Sequence, residues 1–347
     1  MRDADFPADP YPGAVPPCSF VHEDGGTEAT ILRLRPDPST LTGWSVAGND
    51  LDDWLAARDA PPAAARVPVL AYGSNRCPSK ITWLRRELGL PGPVIVLRAR
   101  TEGVAAVWAH GLRARDGQRP AVLAAAPGAV ETHAVWLATA EQIAVLDRCE
   151  GRDDRFRLAR LRTGTVRTED GGIVETPWCY VGHGTIRRPL LVDGRRVRCI
   201  EVAQVQAQAL NGEPGDDDLD APTVRGAPDP DDWPAALLTY GLLMPTQPSW
   251  SLVAPHASGP PRPLRVAGTL YDTGQGWPAL VPGGRGEVPA ALVPLRDPVR
   301  LLPLLDEYEG PDYRRVRRTL ADGTACWVYA WVAPTAGFRE LPAGWPP

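Results

Sequence analysis

Apolar positions along this chain recur mostly with a period of two, in short runs separated by glycine and proline. The stretches VIVLRAR (94–100), AVLAAAP (121–127), THAVWLA (132–138) and RLARLRTG (157–164) are brief and alternating or β-branched, which predicts strands. Two segments read instead as helices. In TAEQIAVLDRCEG (139–151), Thr139 is a side-chain cap and Glu141 lies in the first turn. In RDPVRLLPLLDEYEG (296–310), Asp297 caps and Pro298 occupies the first helical position. Many short strands with few helices predict an α+β protein built on small barrel-like sheets with flanking helices.

The pattern is written twice. VLAYGSNRCPSK (69–80) is followed by RPAVLAAAPG (119–128), LDRCEG (146–151) and PWCYV (177–181). LLTYGLLMPTQPS (237–249) is followed by WPALVPGG (277–284), LDEYEG (305–310) and CWVYAW (326–331). Thirty positions separate Pro120 from Glu150, and thirty-one separate Pro278 from Glu309. Four landmarks in one order indicate a tandem domain duplication; two long copies are too few for a solenoid.

Between the copies, NGEPGDDDLDAPTVRGAPDPDDWP combines Gly, Pro and an acidic run, and reads as a linker that cannot bury enough apolar surface to order itself. The expected organisation is therefore an arm over 1–66, a first domain over 67–210, a linker over 211–233 and a second domain over 234–347. The arm is expected to be partly disordered or packed on the first domain. It offers one strand candidate, ATILRLR (29–35), and one short helical candidate, DLDDWLAARD (50–59).

Composition narrows the function. The chain has 347 residues, 23% charged and 44% hydrophobic, which suits a globular protein of two domains. A net charge of −5, with Lys80 the only lysine, gives no footprint for nucleic acid or an anionic membrane. No apolar run is long enough to span a bilayer, and the opening MRDADFPADPYPGAVPP lacks a basic segment followed by an apolar one. Six scattered cysteines with no C-x-x-C pair fit reduced thiols, and a cytoplasmic location is expected. No His, Cys or Asp cluster has metal-ligand spacing, so neither metal nor cofactor is expected.

Each helix ends in Glu-Gly. Gly151 and Gly310 are explained as C-terminal caps; Glu150 and Glu309 are not. A carboxylate in the last turn meets the negative end of the helix dipole, a cost of about 0.3–1 kcal/mol. An unfavourable glutamate repeated in both copies suits proton chemistry, because helix ends and burial raise a carboxyl pKa toward neutrality. No histidine, serine or cysteine repeats in comparable context. The strands that run into Tyr72-Gly73-Ser74-Asn75 and Tyr240-Gly241-Leu242-Leu243 place consecutive amides at the mouth of a sheet. Glycine there permits close approach or positive φ, and such amides make a nest for a carboxylate or developing oxyanion.

Together, Tyr-Gly-x-x, the Pro-Ala-x-x strand and Leu-Asp-x-x-Glu-Gly resemble the gamma-glutamylcyclotransferase-like superfamily, over about residues 67–200 and again over 234–335. The resemblance implies two tandem small β-barrels with flanking helices, each with a pocket for a γ-glutamyl group. It implies release of 5-oxoproline by attack of the substrate's own α-amine on its γ-carbonyl, with Glu150 and Glu309 as general acid–base. The two Tyr-Gly loops would seat the α-carboxylate and the tetrahedral oxygen. Tyr180, Tyr329 and Tyr313 are further substrate-binding candidates. Leu242 stands where the family usually has Thr or Ser, and Phe156 where the second copy and the family have Tyr. The implied partner is a small γ-glutamyl compound, with no nucleic acid or membrane, and a monomer whose two domains pair within one chain. A non-catalytic tandem-barrel binding or scaffold protein is the alternative; an amidase using water at the same glutamate lacks a second base.

Overall fold

The computed structural model describes residues 1–26 and 29–346, with Arg285 described by its backbone only. The chain divides into two compact units: residues 1–34, 66–169 and 173–228 form unit 1, and residues 35–65, 170–172 and everything from Asp229 onward form unit 2.

Unit 1 is built on β1 (Phe20–Glu23), β2 (Thr30–Pro36), β3 (Val67–Ala71), β4 (Val94–Trp108), β5 (Ala121–Ala138), β6 (Phe156–Arg160), β7 (Thr165–Thr168) and β8 (Trp178–Gly182). They pair in the order β2-β1-β4-β5-β3-β8-β6, with β7 also on β4. Among the described strand pairs of this unit, β3 and β8 run parallel. Every residue of β3 is buried, as expected of a strand flanked on both edges and covered on both faces. Unit 2 is built on β9 (Ala236–Thr239), β10 (Arg262–Asp272), β11 (Pro278–Pro294), β12 (Tyr313–Thr319) and β13 (Ala325–Trp331), paired β12-β13-β9-β11-β10. The parallel contact is again the central one, β9 to β13. The five strands β6-β8-β3-β5-β4 thus have the same order and sense as those of unit 2.

Two long strands in each unit form a hairpin whose register slips once, between Glu102 and Val104 in β4 and between Ala267 and Gly268 in β10. Such bulges bend and twist a ladder. Curvature stops at a half-barrel: among the described strands, the two edges of each sheet do not pair with one another. Strand number and alternation, from which two small barrels were expected, do not specify whether the last ladder closes.

Helix ends follow the local chemistry. In α1 (Pro78–Leu88), proline fills the first position and Gly89 closes the last turn in the left-handed region. In α2 (Ala140–Glu150), Thr139 and Gln142 cap each other reciprocally. In α3 (Pro298–Glu309), the Asp297 carboxylate accepts from the Arg300 amide at 3.3 Å. In unit 2 this helix covers one face of the sheet, where Leu301, Leu302 and Leu305 meet Leu237, Trp327 and Tyr329. The alternate residues Leu238, Cys326 and Val328 form a second core on the other face.

The N-terminal arm divides between the two units, and the linker differs from expectation. Residues 1–34 pack in unit 1, where Thr82 Oγ1 donates to Asp3 Oδ2 at 2.7 Å and β1 pairs with β4. Residues 35–65 belong to unit 2. There the half-buried Arg317 donates to the carbonyls of Ala63 at 3.1 Å and Ala64 at 2.9 Å. The acidic segment is ordered too. Its residues 220–224 lie along the free edge of β6, with Arg160 N–H donating to Pro222 O at 3.0 Å and Val224 N–H to Leu158 O at 2.8 Å. A segment with little apolar surface is held here by backbone hydrogen bonds to a strand edge, which its composition does not reveal.

Candidate active site

The turn after β3 and the end of α2 meet in unit 1. Tyr72, Gly73, Ser74, Asn75 and Glu150 line one cavity of about 410 Å³, together with Tyr180 and Phe156. Asn75 Nδ2 donates to Glu150 Oε1 at 2.7 Å. Glu150 is half-buried and lines the cavity. Burial raises its pKa, opposed by the Asn75 hydrogen bond and then by the charges of Lys80, Arg155 and Arg187.

Unit 2 repeats the arrangement. Tyr240, Gly241, Leu242, Leu243, Glu309, Tyr313 and Tyr329 line a cavity of about 350 Å³. Both volumes are ample for a dipeptide-sized ligand. Burial alone pushes the Glu309 carboxyl up to about 7, with no cation to oppose it. The side chain of Leu243 also packs into the core beside Leu305.

The tyrosines are supports. Tyr72 OH donates to Tyr180 O and Tyr240 OH to Tyr329 O, each at 2.5 Å. Tyr180 OH in turn donates to Asp147 Oδ1, and Tyr329 OH to Asp306 Oδ1, each at 2.7 Å. Each aspartate lies three residues before the glutamate, on the same helix face. In both units a relay therefore ties the Tyr-Gly turn to the helix that carries the acid, fixing one against the other. Sequence reasoning passed over Asp147 and Asp306, although the repeated Leu-Asp-x-x-Glu-Gly contained them. The phenol protons of Tyr180 and Tyr329 are committed to these carboxylates, which leaves their rings to form cavity wall.

Glycine after tyrosine is required by space. Neither Gly73 nor Gly241 has positive φ. A Cβ on Gly241 would lie 2.4 Å from Pro278 Cγ, and one on Gly73 would lie 2.9 Å from the hydroxyl of Tyr11.

Tyr11 was invisible to sequence reasoning, which treated residues 1–66 as an arm without a site. It is buried against the cavity of unit 1, and its hydroxyl accepts from the Ala121 amide at 2.9 Å. In unit 2, Tyr313 OH donates to Pro278 O at 2.7 Å. Pro120-Ala121 and Pro278-Ala279 are matching landmarks, so the hydroxyl that Phe156 lacks is supplied at the corresponding strand start by the arm. Tyr11→Phe is expected to leave the Ala121 amide unpartnered, a cost of about 1–3 kcal/mol. Amide hydrogen exchange checks this: protection at Ala121 should fall, while unit 2 is unaffected.

Among the described residues, no group of three His, Cys, Asp or Glu side chains could hold a metal ion. No helix among them is long and apolar enough to cross a membrane.

Residues 237–345 match the family model described as gamma-glutamyl cyclotransferase, AIG2-like. That match lies within the second copy of the repeat and supports the gamma-glutamylcyclotransferase-like superfamily for those residues. Among solved structures, the chain is similar to ytfP from Escherichia coli, at 23% identity over 32% of this chain and 94% of that one, TM-score 0.26. A structure titled gamma-glutamyl cyclotransferase aligns at 18% identity over 43% of this chain and 89% of that one, TM-score 0.29. YkqA from Bacillus subtilis aligns at 13% identity over 42% and 54%, TM-score 0.26. No curated protein matches the sequence.

Proposed function

We propose that the protein is a cyclotransferase that releases 5-oxoproline and a free amine from γ-glutamyl compounds, with the cavity of unit 2 as its principal catalyst and that of unit 1 bearing the same parts. The observation that carries this reading is Glu309. Burial pushes its carboxyl up to about 7, and it lines one cavity with the Tyr240–Leu243 turn. An acid–base group works best with its pKa near the working pH.

The substrate supplies the nucleophile. The Glu309 carboxylate removes a proton from the α-ammonium, and the freed amine attacks the γ-carbonyl carbon to close a five-membered ring. The tetrahedral oxygen then faces amides of the Tyr-Gly turn. The protonated Glu309 returns its proton to the departing nitrogen as the C–N bond breaks, and the regenerated carboxylate then passes the ring nitrogen's second proton to the freed amine, leaving the lactam and an ammonium. Confinement of amine and carbonyl at attack distance supplies a large part of the acceleration. Asp306 and Tyr329 hold the helix end and the turn in register and touch no reacting atom.

The test is an assay of 5-oxoproline release from a panel of γ-glutamyl amides and peptides, using the intact chain, Glu150→Gln, Glu309→Gln and the double variant. Loss in the double variant is expected on every active substrate, and the single variants apportion activity between the units. Unchanged release in the double variant removes the glutamates from the mechanism. No release from any member of the panel favours a protein that binds without turnover.

A further inference from the structure

The relay aspartates are themselves held, and in both units by a guanidinium. In unit 1, Arg152 Nη1 donates at 3.1 Å to Asp147 Oδ2, the oxygen not used by the Tyr180 hydroxyl. Its Nη2 donates to the carbonyls of Val224 and Gly226, each at 2.8 Å. In unit 2, Arg315 Nε lies 3.0 Å from Asp306 Oδ1, which also accepts from Tyr329, and Arg315 Nη1 donates to Asp231 Oδ1 at 2.7 Å. Each arginine therefore has one hand on a relay aspartate and the other on its own unit's share of the segment that joins the copies in sequence.

The two arginines are not counterparts. Arg152 follows the cap Gly151, where the second copy has Pro311 after Gly310. Arg315 comes two residues after Tyr313, where the first copy has Leu158 two residues after Phe156. Duplication by itself does not account for a guanidinium reaching the same place from two different positions. The joining segment is fixed where it is gripped. The Val224 amide donates to Leu158 O at 2.8 Å, which sets the direction of the neighbouring carbonyls. Further along, Asp229 Oδ1 accepts from the Asp231 amide at 2.9 Å, and Arg317 donates to Pro230 O at 2.6 Å. The side chains of Arg152 and Arg315 are only 14% and 17% exposed, so these contacts are screened less than pairs on the open surface. A planar fork spanning two acceptors fixes direction as well as distance, which a single ammonium does not.

We infer that Arg152 and Arg315 are positioning residues, and that residues 224–231 serve with them as a brace holding each Tyr-Gly turn in register with its glutamate. Neither arginine is among the residues lining its cavity, so both act through the aspartates. A carboxylate held on one side by the guanidinium keeps its aim at the hydroxyl of Tyr180 or Tyr329. The carbonyl of that tyrosine in turn receives the hydroxyl of Tyr72 or Tyr240, at the start of the turn. The effect on turnover rests on the cyclotransferase reading; the effect on the turn does not.

The test uses the full chain with Asp231→Ala, which takes the carboxylate from the brace of unit 2. Release of 5-oxoproline is measured in the Glu150→Gln background, where unit 2 alone is read. There kcat is expected to fall about tenfold with KM unchanged, since a shift of about 1 Å in the turn costs up to about 10²-fold. Asp231→Asn, whose amide oxygen still accepts from Arg315, should restore part of the loss. In the Glu309→Gln background Asp231→Ala should leave unit 1 unaffected, whereas Arg152→Lys should lower its kcat to a similar degree. An unchanged kcat on Asp231→Ala, a rise in KM alone, or an equal loss in both units overturns the inference. Amide hydrogen exchange reads the brace without any substrate. The Met244 amide, which donates to Gly241 O at 2.9 Å, should exchange faster in Asp231→Ala while the β10–β11 hairpin keeps its protection. Faster exchange in both places is general loosening and also overturns it. Faster exchange at Met244 alone, with no 5-oxoproline from any compound, fails the cyclotransferase reading and leaves the brace standing; release with kcat and exchange both unchanged does the reverse.

Discussion

Glu309→Gln is expected to lower 5-oxoproline release by unit 2 about 10²–10⁴-fold, the usual contribution of a positioned general acid–base. In the unsubstituted protein kcat/KM should rise with pH through about 7, because the ionised carboxyl is the form that accepts the α-ammonium proton. Stability should move the other way. The folded-state pKa, about 7, lies above the ordinary 4.5, so between those values the folded chain binds more protons than the unfolded one. Stability is therefore lost as pH rises across that window, and the loss is complete above it. At about 1.4 kcal/mol per pH unit the gap corresponds to roughly 3 kcal/mol, which water at the cavity mouth reduces to about 2. Glu309→Gln should thus stabilise unit 2 at pH 8 by about 2 kcal/mol and change little at pH 4.5. Thermal melts of both proteins at the two pH values check this. Equal melting temperatures at pH 8 would mean the carboxylate is not held away from water.

Gly241→Ala is the second large effect. Its new methyl would meet the stiff ring of Pro278 at 2.4 Å, so the Tyr240–Leu243 turn must shift. Overpacking of this kind costs about 1–3 kcal/mol. A shift of about 1 Å between the turn and Glu309 is enough to reduce kcat/KM by about 10²-fold. The matched Gly73→Ala meets the far end of Tyr11 at 2.9 Å, a side chain able to yield, and should be milder on unit 1. The comparison is made by measuring 5-oxoproline release from Gly241→Ala in the Glu150→Gln background and Gly73→Ala in the Glu309→Gln background. Equal losses would remove the proline ring as the reason for glycine in the turn.

The duplicated landmarks were legible because they are local. A strand ending in Tyr-Gly, a capped helix and a Glu-Gly terminus each depend on residues a few positions apart, and local propensity and capping act on that scale. Thr139 and Asp297 cap as their side chains require. The two acids were visible because a carboxylate at the wrong end of a helix dipole needs a reason. Asp147 and Asp306 were equally visible as letters, but their value lies in a phenol delivered by a strand thirty-three residues later in unit 1 and twenty-three later in unit 2.

What the chain determined alone was therefore the strand-rich pattern, the two helices that end in Glu-Gly, the repeat and two glutamates with a claim on proton chemistry. Tertiary structure decided the rest. It left the sheets as open half-barrels, folded the arm and the acidic segment onto strand edges and a half-buried arginine, and brought Tyr11 to a wall where Phe156 lacks a hydroxyl. It also gathered Lys80, Arg155 and Arg187 around one glutamate, while the described residues that line the cavity of the other include no cation. These outcomes turn on which distant groups share a low-dielectric space. Hydrogen bonding and charge respond to distance and burial there, and neither is written in the order of residues.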